Sequence, residues 1–97
     1  MTEHDIPALV QVLQLTKGRP EWSAWDADGN WYYLRYRLGS GTVHISPGGP
    51  AFGASDQDFV NALDAARLLT DFVYGNVSDG EITLPAFLRM AGMRTAA

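Results

Sequence analysis

The stretch 22–46, WSAWDADGNWYYLRYRLGSGTVHIS, constrains the fold more than any other part of the chain. Trp, Tyr, Val and Ile alternate there with polar residues, and Asp and Gly punctuate the runs, which is the pattern of antiparallel hairpins. Asp28-Gly29 and Gly39-Ser40-Gly41 supply the positive φ angles that two tight turns need. Successive side chains of a strand point to opposite faces. In the middle run Tyr32, Leu34, Tyr36 and Leu38 therefore share one face, and Trp31, Tyr33, Arg35 and Arg37 the other. A two-residue turn at Gly39-Ser40 or Ser40-Gly41 brings Val43 and Ile45 to the side of Leu34 and Tyr36; a three-residue turn would reverse them, so the match of apolar faces favours the shorter turns. A two- or four-residue turn around Asp28-Gly29 sets Trp25 opposite Tyr32. The expected core face is Trp25, Tyr32, Leu34, Tyr36, Leu38, Val43 and Ile45. Trp31, Tyr33, Arg35, Arg37 and His44 are expected to face outward.

Ahead of this sheet, Asp5 can cap a helix with Pro7 in its first turn. Ile6, Leu9, Val10 and Leu13 then follow helical spacing, and Gly18 offers a stop. The competing reading is a strand through Val10-Gln11-Val12, but its alternation breaks at Val12-Leu13. Behind the sheet, residues 46–54 read as a Gly/Pro-rich connector; they lack the Gly-Lys-Ser/Thr ending of a phosphate-binding loop. Ser55-Asp56-Gln57-Asp58 opens a long helix expected to stop at Gly75-Asn76. Phe59, Ala62, Leu63, Ala66, Leu69 and Val73 form one stripe of it, and Ala65, Leu68 and Phe72 a second on roughly the opposite side. A helix apolar on two sides has to be covered twice, once by the sheet and again by the last helix or a second subunit. That last helix starts near Thr83 or Leu84, holds Pro85 in its first turn and ends about Gly92; the tail from Met93 is expected to be loosely ordered. The predicted fold is α+β: an N-terminal helix (about 6–17), a three-stranded antiparallel meander (about 21–27, 31–38 and 42–46), then two C-terminal helices (about 56–74 and 84–92) packed on the sheet. The whole chain, 1–97, reads as a single domain.

Ninety-seven residues can enclose one core without disulfides or metal, and 46% hydrophobic against 19% charged content argues for a globular chain. The absence of cysteine excludes a thiol nucleophile, an iron–sulfur cluster and a thiolate zinc site. No apolar run reaches the length of a membrane span, and the N-terminus lacks a basic signal-peptide start, so a cytoplasmic location is expected. A net charge of −4 and a pI near 4.8 disfavour nucleic acid as a partner. The imbalance sits in the second half: residues 1–50 hold four basic and five acidic side chains, residues 51–97 three and six. Internal pairing of that acidic half with basic strand residues is a sufficient reason for it.

Catalytic and metal chemistry find no support. Asp26-Ala27-Asp28-Gly29-Asn30 imitates a calcium loop, but with Asp26 first the required glycine falls on Trp31 and the closing glutamate on Arg37. Asp79-Gly80-Glu81 resembles the back half of another, yet Gly75, Val77 and Ala86 occupy its ligand positions. His4 and His44, the only histidines, show no metal-pair spacing, and His44 reads as a surface strand residue. No serine sits in a nucleophile elbow. The expectation is a non-enzymatic protein without metal or cofactor.

Trp31, Tyr33, Arg35 and Arg37 remain. Aromatics beside arginine can stack on unpaired bases, and the same residue types dominate protein interfaces; the plainer alternative is a face covered by the N-terminal helix. Trp22-x-x-Trp25-Asp26-x-Asp28-Gly29-Asn30, running into Tyr33-Leu34-Arg35-Tyr36-Arg37, resembles small uncharacterised accessory proteins from phages of actinobacteria, over about a quarter of the chain. The resemblance implies a protein made in the host cytoplasm that binds a host factor, and it carries no catalytic residue across. The expected function is a protein-interaction module, self-associating or host-binding, docking through the aromatic face or the Leu68/Phe72 side of the long helix. The alternative is a single-strand nucleic-acid binder using Trp31, Tyr33, Arg35 and Arg37.

Overall fold

The computed structural model describes residues 6–76 and 80–96; the expected Asp5 cap, His4 and Asp79 lie outside them. Five strands form one antiparallel sheet in chain order: β1 (Leu9–Gln14), β2 (Glu21–Asp26), β3 (Trp31–Arg37), β4 (Ser40–Ser46) and β5 (Arg67–Val73). Helices α1 (Asp56–Ala65) and α2 (Leu84–Ala91) pack on its two faces. This corrects the expected architecture of an N-terminal helix, a three-stranded meander and two C-terminal helices. Two segments read as helix are strands, and they flank the meander at both edges.

At the N-terminal edge the reason is a bulge. Leu9 pairs with Asp26 and Gln11 with Trp25, leaving Val10 as the extra residue. The bulge turns Leu9 and Val12 to the same side of the sheet, a spacing of three that mimics one face of a helix. At the other edge the expected helix over 56–74 ends at Ala65, and Ala66 takes an extended conformation. Residues Arg67–Val73 then pair with β4. Thr70, Phe72 and Val73 suit a strand, and a fifth strand satisfies the backbone groups that β4 would otherwise leave open. The helix apolar on two sides does not exist, and with it goes the argument that a second subunit must cover it. Leu68 and Phe72 lie on β5: Leu68 pairs with His44 and is exposed, whereas Phe72 crosses Gly41 and packs into the core.

The turns decide which residues share a face. Three residues, 27–29, close the first hairpin, with Gly29 at φ 82° and its N–H donating to the Asp26 carbonyl at 3.2 Å. An odd loop reverses the expected parity, so Trp25 pairs with Trp31 and not with Tyr32. Two residues, Leu38 and Gly39, make the second turn, both with positive φ (54° and 82°), and Arg37 pairs with Ser40. Leu38 thus leaves the core face assigned to it and stands 59% exposed.

A left-handed leucine costs roughly 1–2 kcal/mol that asparagine largely avoids. Leu38→Asn is expected to raise stability by about 1 kcal/mol and the thermal midpoint by ~4–8 °C. An unchanged or lower midpoint in a thermal melt would show that Leu38 makes a contact worth keeping.

The first sheet face carries the main core. Trp22, Ala24, Tyr32, Leu34, Tyr36, Val43 and Ile45 meet Phe87, Leu88 and Ala91 of α2. Thr83 caps α2 by accepting the Ala86 N–H at 3.3 Å, with Pro85 just inside; Gly92 closes its other end. The segment after α2 is docked, contrary to the loose tail expected. Met93 is buried, the Leu9 N–H donates to the Arg94 carbonyl at 2.9 Å, and the Ala96 N–H donates to the Leu9 carbonyl at 2.7 Å. No helix among the described residues is long and apolar enough to cross a membrane.

Candidate functional site

Trp25, Trp31 and Tyr33 form a separate buried cluster on the second sheet face. Helix α1 covers it. Ser55 caps α1 by accepting the Asp58 N–H at 3.1 Å, and Asp56 and Asp58 complement the positive end of the helix. Phe59, Ala62 and Leu63, at helical spacing, pack on the three aromatics. The Phe59 ring meets Trp31 edge to face at 5.3 Å and Trp25 at 6.3 Å, and Phe52 of the preceding loop meets Trp25 at 5.7 Å. These T-shaped contacts are the preferred aromatic geometry.

The outward aromatic face expected from the sequence is therefore covered. Trp31 is 2% exposed and Tyr33 8%. The cover is α1, not an N-terminal helix. Their polar atoms are satisfied: the Trp31 indole N–H donates to Ser23 Oγ at 3.0 Å, and the Tyr33 hydroxyl donates to Glu21 Oε2. Burial pushes the Tyr33 phenol up from its ordinary value, and the Glu21 carboxylate pushes it further as acceptor and charge, against an opposing pull from Arg35. It is a neutral donor at physiological pH. Trp25 likewise donates to the Pro50 carbonyl at 2.8 Å.

Helix α1 contacts β4 and packs on Trp25 of β2 and on Trp31 and Tyr33 of β3. Toward β1 the sheet stays open, and no residue of α1 is fully buried. An apolar groove of about 330 Å³ runs there. Its floor is Ser23, Trp31 and Tyr33, its walls are Leu15 and the Phe59/Val60/Leu63 side of α1, and Glu21 and Asp56 mark its polar margin. Val60 is 53% exposed, and Leu13 and Leu15 are exposed beside it.

The other expected site residues fall elsewhere. Arg35, paired in register with Glu21, and Arg37 are exposed on the same face beyond the groove. His44 is half-buried next to Tyr33 on β4, and its Nδ1 has no hydrogen-bond partner among the described residues. Leu68 lies at the far side of β4, and Phe72 on the opposite face. The structure thus brings Trp31 and Tyr33 together with Leu15, Phe59, Val60 and Leu63, none of which the sequence reading placed in a site. The only signal for Leu15 and Val60 is apolar character at a position that pairing leaves open, and the β1 bulge and the short α1 hide that pairing from the sequence pattern. Among the described residues no group of three or more His, Cys, Asp or Glu side chains could hold a metal ion. Comparisons with protein-family models, curated proteins and solved structures find no match to this chain.

Proposed function

We propose that the chain is a non-enzymatic protein-interaction module that takes an apolar segment of a partner protein into the groove between α1 and β1. The observation that carries this reading is the exposure of Leu13, Leu15 and Val60 around a floor whose polar atoms already have partners. Such a surface gains free energy by losing water and offers little to orient a small polar substrate. The nucleic-acid alternative loses its stacking platform, because the Trp31 and Tyr33 rings lie under α1 and leave Arg35 and Arg37 without those aromatics at the surface. The resemblance to phage accessory proteins supports a host protein as the partner.

The test is selection from a random peptide library on the wild-type chain and on a Leu15→Ser/Val60→Ser variant. Peptides enriched on wild type are expected to lose tenfold or more in affinity on the variant, from about 1.5–3 kcal/mol of lost apolar contact. Both substitutions are at exposed positions, so the thermal midpoint should stay within a few degrees. Equal enrichment on both proteins would remove the groove from consideration.

A further inference from the structure

Resting on that reading, we propose that the occupant is a single amphipathic α-helix of a partner protein, with basic residues beside its apolar stripe, lying alongside α1 over β1. Width argues for a helix. Neighbouring strands are about 4.8 Å apart, so β1 lies roughly 10 Å from β3, on whose Trp31 and Tyr33 α1 packs. Packed helices lie about 8–10 Å axis to axis, so one helix fits beside α1. Leu13 and Leu15 would meet it from the sheet and Val60 from the side. An extended peptide added to the edge of β1 would meet the C-terminal segment at its Leu9 end, where both backbone groups are already taken.

Charge selects the chemistry of the partner. Asp56, Val60 and Asp64 are four residues apart and share one ridge of α1, with both aspartates exposed. Helix α1 contains no lysine or arginine. Glu21 adds a third carboxylate at the sheet side, with Arg35 as its cross-strand neighbour. The α1 of a second copy placed two-fold in the groove would bring the same aspartates against these, and nucleic-acid phosphates would meet the same repulsion. Lysine or arginine flanking an apolar stripe complements the ridge.

The probes are a synthetic Leu/Lys amphipathic peptide of about 15–20 residues, a twin with Glu for every Lys, and a third with a central proline that breaks the helix. Titration calorimetry at low and high salt, with far-ultraviolet circular dichroism of the mixture, reads binding and induced helix. The Lys peptide is expected to bind wild type and gain helicity, and the twin and the proline peptide to bind at least tenfold more weakly. Asp56→Asn and Asp64→Asn should each weaken the Lys peptide about two- to fivefold and flatten its salt dependence. A Glu twin or proline peptide that binds equally well overturns the proposal, as do Asn variants that change nothing. Equal binding to the Leu15→Ser/Val60→Ser variant also overturns it, since attraction would then lie elsewhere on the acidic surface. If library peptides depend on Leu15 and Val60 while the Lys peptide never binds, the groove stands and its basic helical occupant falls. If neither depends on them, both readings fall.

Discussion

Replacing Asp26 with alanine is expected to cost about 3–4 kcal/mol, a large part of the ~5–15 kcal/mol that holds a domain of this size together. Asp26 is 3% exposed, and its carboxylate accepts four hydrogen bonds. The backbone N–H groups of Asp28 and Asn30 donate to Oδ1 at 2.9 and 3.1 Å. The Asn30 side chain and the Tyr32 hydroxyl donate to Oδ2 at 2.9 and 2.7 Å. Three of these donors close the first hairpin. The fourth ties the turn to the main core, because Tyr32 is buried beneath α2 and the C-terminal segment. Alanine leaves the Tyr32 hydroxyl buried without its acceptor, which makes it the most costly of the four losses. The loss should therefore be smaller in a Tyr32→Phe background, by about 1–2 kcal/mol in a double-mutant cycle. Additive losses would show that Tyr32 finds another acceptor.

The same contacts fix a pH dependence. Burial pushes Asp26 up, but the hydrogen bonds from Asn30, Tyr32 and Asp28 outweigh it and hold the group below its ordinary value of 3.8. The folded state then holds the carboxylate ionised after the unfolded chain has begun to take up the proton. The stabilisation is complete above the unfolded value and is lost as pH falls through the lower folded one. Wild type should lose stability below about pH 3.8 more steeply than Asp26→Asn does, in urea titrations across that range.

What the sequence made legible was the chemistry carried by a few adjacent residues. Thr83, Pro85 and Gly92 mark the bounds of α2, and Ser55 with its acidic successors marks the start of α1. The end of α1 was not legible, because no glycine or proline separates Ala65 from β5, and Ala62, Leu63, Ala66, Leu69 and Val73 continue the helical period by coincidence. The edge strands were lost for a common reason: their identity depends on partners distant in sequence. β1 is a strand because Trp22, Ser23, Ala24 and Trp25 offer it a ladder, and its bulge disguises the period of two. The candidate site suffered from both errors. Trp31 and Tyr33 were read on the correct middle strand, but α1 covers them and the exposed apolar groove lies next to them. The parity of Trp25 turned on one residue in a loop, which the Asp-Gly signal alone does not count.

Phe87→Ala is the second large effect, expected to cost about 3–5 kcal/mol. Phe87 is completely buried, and its ring meets Trp22 at 5.5 Å and Phe72 at 4.9 Å, both edge to face. The Phe72 ring in turn stacks on Tyr36 at 6.5 Å and lies over Gly41, where a side chain would leave it no room. Phe87 therefore joins β2, β4 and β5 through rings on two strands, and it is the deepest residue by which α2 holds the sheet. Truncation removes an aromatic wall that neither Trp22 nor Phe72 can replace without moving off its strand partner, so the cavity stays open. Phe87→Leu keeps most of the volume and should cost about 1–2 kcal/mol. Near-ultraviolet circular dichroism from the Trp22 environment should weaken with alanine and largely persist with leucine. The second sheet face gives the contrast. Phe59 is only half-buried over Trp31 at the groove wall, so Phe59→Ala removes less from the core than Phe87→Ala removes. A Phe59→Ala cost as large as that of Phe87→Ala, in matched urea titrations, would show that α1 is as firmly built into the core as α2.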